Sequence, residues 1–428
     1  MLVWMKRIIP FLCVIFSLPF LCAMSIKGPD ITQPFDSRKE LAKYDFASPL
    51  PEDIKTWVEK ANISIVIMGP ENPLYSWFGH AAIVVSQPGG HSIMYDYGIF
   101  DNSKKGFYWN FLRGRMLYNI WATDADWRTN LEMEGGRSVT EYRLELSPQA
   151  KYQIMEFLKR NALEENNTYL YHFYKDNCAT RLRDIVDAAT NGEFQKWAKK
   201  QDLEGTYRSW AERSLGHHFF TDWFLNFLQG PEIDHRVSLW EEMFLPQRLG
   251  DALMRYEPLH ATRIVYQEQD YEKIPIKTSG HPVSNDLQAF VFGLSLALFC
   301  LLVWKKQWIG IWKTCNFLIS LILGLCGLIL FYAVCFSDLD VTWFNESLLL
   351  VNPLLLLGAF WIFRHPSRTA GMLRGEAYLA VALVILKGLF PTLFSQDNIQ
   401  TILLVLPYYL TGFVKADFPT QRKRREKP

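Results

Sequence analysis

Tyr169-Leu-Tyr-His-Phe-Tyr174-Lys-Asp-Asn177-Cys178-Ala-Thr-Arg181-Leu-Arg-Asp-Ile-Val-Asp-Ala188 changes its periodicity within a few residues. The aromatic start reads as an extended strand and Lys175-Asp176-Asn177 as a turn. From Cys178 onward, Leu182, Ile185 and Val186 recur at helical spacing. Asp176 or Asn177 is the expected N-cap, which puts Cys178 in the first helical turn. There the unpaired N–H groups and the positive end of the helix dipole favour a thiolate. The same N–H groups can hold the oxyanion of a tetrahedral intermediate. The bland alternative is a small buried apolar cysteine.

A nucleophilic cysteine needs a base, and nine histidines compete for the role. His80 stands out in Ser76-Trp-Phe-Gly79-His80-Ala-Ala-Ile-Val-Val85, because it opens a strand-like apolar run directly after a glycine. The next strand is expected at His91–Gly98. It offers Asp96 and Tyr95 as groups to orient the imidazole, with Tyr97 and His91 as further options. Arg181 can pair with a lipid phosphate or with Asp184 or Asp187. Asn177 stands beside it as a second candidate substrate contact. No HExxH, CxxC or phosphate-cradling glycine loop occurs, so neither a metal nor a cofactor is expected.

Outward from this site the chain divides by texture. Its 428 residues carry 45 Lys+Arg against 44 Asp+Glu, a balance that gives no support for a nucleic-acid binder. Hydrophobic residues reach 49%, enough apolar surface to exclude disorder. Met5-Lys6-Arg7, an apolar run from Ile8 to Phe20 and small residues at Ala23 and Ser25 read as a secretory signal over 1–24, or as an uncleaved anchor. Residues 25–285 have the texture of a soluble domain. Five apolar runs follow near 287–304, 316–335, 346–363, 376–391 and 400–414, the first three long enough to span a bilayer. Lys387 interrupts the fourth, either snorkelling to the headgroups or serving a function.

Positive charge alternates between the connecting segments. Lys305, Lys306 and Lys313 follow the first run; Arg364, Arg368 and Arg374 follow the third; a basic tail over 417–428 follows the fifth. The positive-inside rule then puts the C-terminus in the cytoplasm and 25–285 outside, with a five-helix transmembrane domain over 286–416. Of seven cysteines, Cys178 alone falls in the exported part, so it has no disulfide partner within that domain.

Trp77-Phe-Gly-His80 together with Tyr174-Lys-Asp-Asn-Cys-Ala-Thr-Arg181 resembles the exported domain of the Lnb-type lipoprotein N-acyltransferases. The likeness continues through Tyr95-Asp-Tyr-Gly-Ile-Phe100, Phe107-Tyr-Trp-Asn-Phe-Leu-Arg-Gly114 and Trp240-Glu-Glu-Met-Phe-Leu-Pro246. It extends to the membrane runs with Asn345 and Val351-Asn-Pro-Leu354. One departure is Ala179, where such sequences are expected to carry a hydroxyl. The resemblance implies an α+β, permuted papain-like or NlpC-like exported domain followed by an all-α five-helix bundle. It also implies transfer of a fatty acyl chain from a phospholipid donor to the N-terminal amine of a diacylated lipoprotein at a bacterial inner membrane. Cys178 matches the nucleophile and His80 the base; the third member is not assigned by the resemblance. A membrane-anchored cysteine hydrolase on the same dyad is the competing expectation, and a non-catalytic receptor or assembly factor a third.

Overall fold

The computed structural model describes residues 36–87, 89–201, 204–215, 219–270 and 285–414. The signal read at 1–24 and the tail read at 417–428 lie outside the described residues. The described chain forms two compact units: 36–215 with 236–270, and 219–235 with 285–414. Sequence texture places one division near 285. Packing adds an excursion, because 219–235 folds with the second unit before the chain returns.

The first unit is α+β. Its strands are β1 (Asn62–Met68), β2 (His80–Ser86), β3 (Ser92–Ile99), β4 (Leu117–Asp124), β5 (Val139–Leu144), β6 (Thr168–Leu170), β7 (Gly205–Thr206), β8 (Arg236–Val237) and β9 (Thr262–Gln267). Among the described residues, seven of them form one antiparallel sheet in the order β6-β4-β3-β2-β1-β5-β9, and β7 pairs with β8 apart from it. Helices α1 (Ala125–Glu134) and α3 (Cys178–Ala189) pack on this sheet, and α2 (Pro148–Asn161) packs against α3.

Both faces of the central strands are covered, which is why β1 reads as a nearly continuous apolar run rather than an alternating one. On one face Val66, Met68, Ala82, Val84 and Met94 pack with Ala125 and Met133 of α1. Alternation turns Ile65, Ile67, Ala81, Ile83, Tyr95 and Tyr97 to the other face, where α3 lies against β2 and β3. Ser64, buried in β1, gives its hydroxyl hydrogen to Glu141 Oε1 at 2.6 Å, so its polarity is satisfied.

The second unit is helical: α4 (Phe219–Leu228), α5 (Asn285–Lys305), α6 (Ile309–Phe336), α7 (Leu355–Arg364), α8 (Pro366–Leu389) and α9 (Ile399–Leu410). Among the described residues three helices, α5, α6 and α8, are long and apolar enough to cross a membrane; α7 and α9 are apolar but shorter. The third apolar run is therefore not one span, as its length suggested. Pro353 has no N–H to give and disfavours a helical Asn352, so the run breaks there. A short 3-10 turn, Glu346–Leu349, precedes the break and α7 follows it. The fourth run gains length instead, because its helix begins ten residues upstream of the expected 376, at Pro366.

Polar groups inside this unit are matched to one another. Asn352 Nδ2 donates to both carboxylate oxygens of Glu376 at 3.1 Å. Lys387 is paired within the unit. Its Nζ bonds Glu346 Oε2 and Gln396 O, while Gln396 Nε2 donates to Asn345 Oδ1 at 3.0 Å. Asn345 Nδ2 reaches Phe227 O at 2.9 Å and Trp223 Nε1 reaches Thr401 Oγ1 at 3.1 Å, fastening α4 into the helices.

Helix α5 approaches α9 through Gly293, where a Cβ would lie 2.3 Å from Leu404 O. Small residues permit such contacts between apolar helices. Gly293→Val should therefore lower the thermal midpoint of the full-length protein in detergent, with an overpacking cost of about 1–3 kcal/mol. Gly310→Ala, with nothing within 4 Å, should leave that midpoint unchanged.

Candidate active site

Asn177 builds the N-terminus of α3. Its side chain accepts from Thr180 N at 2.9 Å, and Thr180 Oγ1 accepts from Asn177 N at 2.8 Å, a reciprocal capping box. Its Nδ2 donates to Phe173 O and Phe244 O, both at 2.8 Å. Asn177 thus holds the turn in place with both ends of its amide. Cys178 follows as the first helical residue, buried, and is the one free cysteine among the described residues of this unit.

His80 is the first residue of β2. Before it, Gly79 takes φ +75°, and a Cβ there would sit 2.8 Å from Met68 O, so this tight entry into the strand requires glycine. The imidazole is the charge partner of the Cys178 side chain. Its Nε2 lies 2.8 Å from Asp96 Oδ1. Asp96 has no exposed surface. Cross-strand register pairs it with Ala82, so it shares a face with His80, whereas Tyr95 pairs with Ile83 and faces the other way. Of the candidates for the orienting group, the structure brings Asp96 to His80 and turns Tyr95 aside.

The electrostatics follow from this geometry. Burial alone would push the Cys178 thiol up. The adjoining His80 charge, its hydrogen bond, and the N–H groups of Ala81 and Ala179 outweigh burial, and the thiol is held below its ordinary value. Burial would likewise push His80 down, but the Cys178 charge and the Asp96 carboxylate raise it to about 9. Both shifts run in the direction that favours a thiolate–imidazolium pair.

Arg181 faces inward. Its Nε and Nη2 bond Asp176 Oδ1 at 2.6 Å and Oδ2 at 3.0 Å, and its guanidinium lies 3.6 Å from the Tyr169 ring centroid. The ion-pair alternative holds, but with Asp176 in place of Asp184 or Asp187. Arg183 bonds Asp184 and Trp240 O. Aromatic rings run outward from the thiol. Gly98 lies between Tyr171 and Cys178. Tyr171 is 4.5 Å from Tyr118, Tyr118 is 5.0 Å from Phe100, and Phe100 is 5.7 Å from Phe107. The helix Phe107–Leu112 buries none of its side chains, with Tyr108 67% and Trp109 57% exposed, so this aromatic segment is not core.

Sequence reasoning missed the groups beyond Asp96. Arg128 on α1 approaches its Oδ2 at 3.6 Å, and Glu132 and Arg137 continue the chain of charges. The spacing of Arg128 and Glu132, i and i+4 on one helix, was the available signal.

One comparison bears on this constellation. Residues 54–213 match the Lnb N-terminal periplasmic domain. The match lies wholly inside the α+β unit and contains His80, Asp96 and Cys178. It bears out the resemblance to the Lnb-type family over those residues, and the Lnb-like domain is a periplasmic one by that description. No curated protein and no solved structure matches the chain.

Alkylation of Cys178, followed by peptide mass spectrometry across pH, tests the charge pair. The reactive form should titrate below the value of about 8.5 usual for a free thiol. In His80→Ala the Ala81 and Ala179 N–H groups alone oppose burial, so the midpoint should rise. An unmoved midpoint would contradict the pairing.

Proposed function

We propose that the chain is a membrane-bound lipoprotein N-acyltransferase. It would take a fatty acyl chain from a phospholipid, carry it on Cys178 as a thioester, and deliver it to the N-terminal amine of a diacylglyceryl-cysteine lipoprotein. The observation that carries this reading is the Cys178 thiol at a helix N-terminus, paired electrostatically with an imidazole that bonds Asp96. The His-then-Cys order of strand and helix is that of a permuted papain-like domain.

The Cys178 thiolate attacks the ester carbonyl carbon, and first-turn N–H groups of α3 stabilise the oxyanion. The carbonyl–oxygen bond breaks, and His80 gives its proton to the departing lysophospholipid hydroxyl. The lipoprotein amine then attacks the thioester carbon. With a reference pKa of about 7.7–8.0 it is partly neutral near pH 7. His80 takes the proton the amine loses, the carbon–sulfur bond breaks, and the thiolate–imidazolium pair is restored with an amide formed.

Both substrates are lipids held in a bilayer, which suits a chain with three helices of spanning length. The aromatic row from Tyr171 to Phe107 gives an acyl chain an apolar wall beside the thiol. Lys305, Lys306, Lys313 and the basic tail favour a cytoplasmic C-terminus at the inner membrane, with the Lnb-like domain in the periplasm.

The test combines purified full-length protein, phospholipid vesicles and a synthetic diacylglyceryl-cysteine peptide, read by mass spectrometry. One added acyl chain on the peptide amine is expected, with at least about a thousandfold loss in Cys178→Ser. Release of free fatty acid or a cut peptide, without amide, would overturn the reading in favour of a hydrolase.

A further inference from the structure

Asp96 is a wholly buried carboxylate with its two oxygens in different surroundings. Oδ1 receives the His80 imidazole at 2.8 Å, whereas Oδ2 is sealed from solvent and has no hydrogen-bond partner. The cation facing Oδ2 is Arg128, with Nε at 3.6 Å. Arg128 is itself fixed: Nη1 bonds Glu132 Oε1 one turn along α1. Glu132 Oε2 bonds Arg137 Nη1 at 2.5 Å, and Arg137 Nε donates to Gly69 O at 2.8 Å. Side-chain exposure stays at 11% for Arg128, 10% for Glu132 and 6% for Arg137. Charge therefore alternates from His80 through Asp96, Arg128 and Glu132 to Arg137, and almost all of it is out of water.

We propose that Arg128 is a positioning residue for the reacting pair, holding Asp96 turned so that Oδ1 meets His80, with Glu132 and Arg137 fixing its guanidinium. A guanidinium is a permanent positive charge, and placed behind Asp96 it attracts Oδ2 and leaves Oδ1 turned to His80. The separation of 3.6 Å, without a hydrogen bond, means that Arg128 acts by its charge. Asp96's strand partners, Ala82 and Trp121, carry no titratable group, and among the described residues its ion pairs are with His80 on β2 and Arg128 on α1. The chain of influence is Arg128 to Asp96 to His80 to Cys178.

The inference rests on Cys178, His80 and Asp96 being the reacting centre, and its readout is the Cys178 thiolate itself rather than acyl transfer. In the full-length protein, Arg128→Met should move the alkylation midpoint of Cys178 upward and slow its alkylation at pH 6.5 by about three- to tenfold. Arg128→Lys, which keeps the charge, should recover most of the loss, and Glu132→Gln should fall between. In an Asp96→Asn background, Arg128→Met should add no further shift. A role confined to tying α1 to the sheet would lower the thermal midpoint in Arg128→Met and leave the thiolate midpoint of the folded fraction where it was. That result overturns the proposal, as does an equal shift from Arg128→Lys. Should Arg128→Met not fold, Arg128→Lys and Glu132→Gln decide on the same readout. Absence of acyl transfer in the wild type would overturn the reaction assignment and leave this thiolate measurement intact.

Discussion

The pairing of the Cys178 thiol with the His80 imidazole depends on two elements far apart in sequence coming together. Ninety-eight residues separate them, and every nearby feature of the α+β unit serves to bring them together. The capping box at Asn177 fixes where α3 begins, and so where the sulfur lies. Gly79 fixes how the chain enters β2, and so where the imidazole lies. The antiparallel pairing of β2 with β3 then brings Asp96 behind the ring. Because a buried charge costs several kcal/mol when unpaired, each member of this line is stable only while the next is present.

The helical unit obeys the same rule in a different solvent. Lipid offers no hydrogen bonds, so side chains such as Glu376, Glu346 and Lys387 persist among apolar helices by pairing internally. Asn345 and Gln396 extend that pairing to the backbone of 219–235. This explains why a segment that lies before the apolar runs in sequence packs among them.

That Cys178 opens a helix and His80 a strand was legible because those signals are local. A turn composition before a helical period marks an N-terminus, and a glycine followed by an apolar run marks a strand start. Asp96 was legible only as one of two neighbours; strand parity, fixed by register with Ala82, separates it from Tyr95. Arg181 misled because a sequence does not say which carboxylate folds against a guanidinium. Asp176, five residues back across the turn, wins over the helical neighbours. The Arg128–Glu132–Arg137 line was hidden for a related reason: its meaning arises only when α1 lies on the Asp96 face. In the membrane runs hydropathy counted apolar residues correctly and missed the break at Pro353, where backbone chemistry overrides composition.

The central claim is that Cys178 carries the acyl chain covalently. Purified full-length protein mixed with phospholipid and no acceptor amine, then measured as intact protein and as peptides, tests this directly. The account predicts one acyl mass added at the Cys178 peptide, removed by hydroxylamine and discharged when an acceptor amine is supplied. Formation of acylated product with Cys178 never modified, or with Cys178 replaced by Ala, would contradict it.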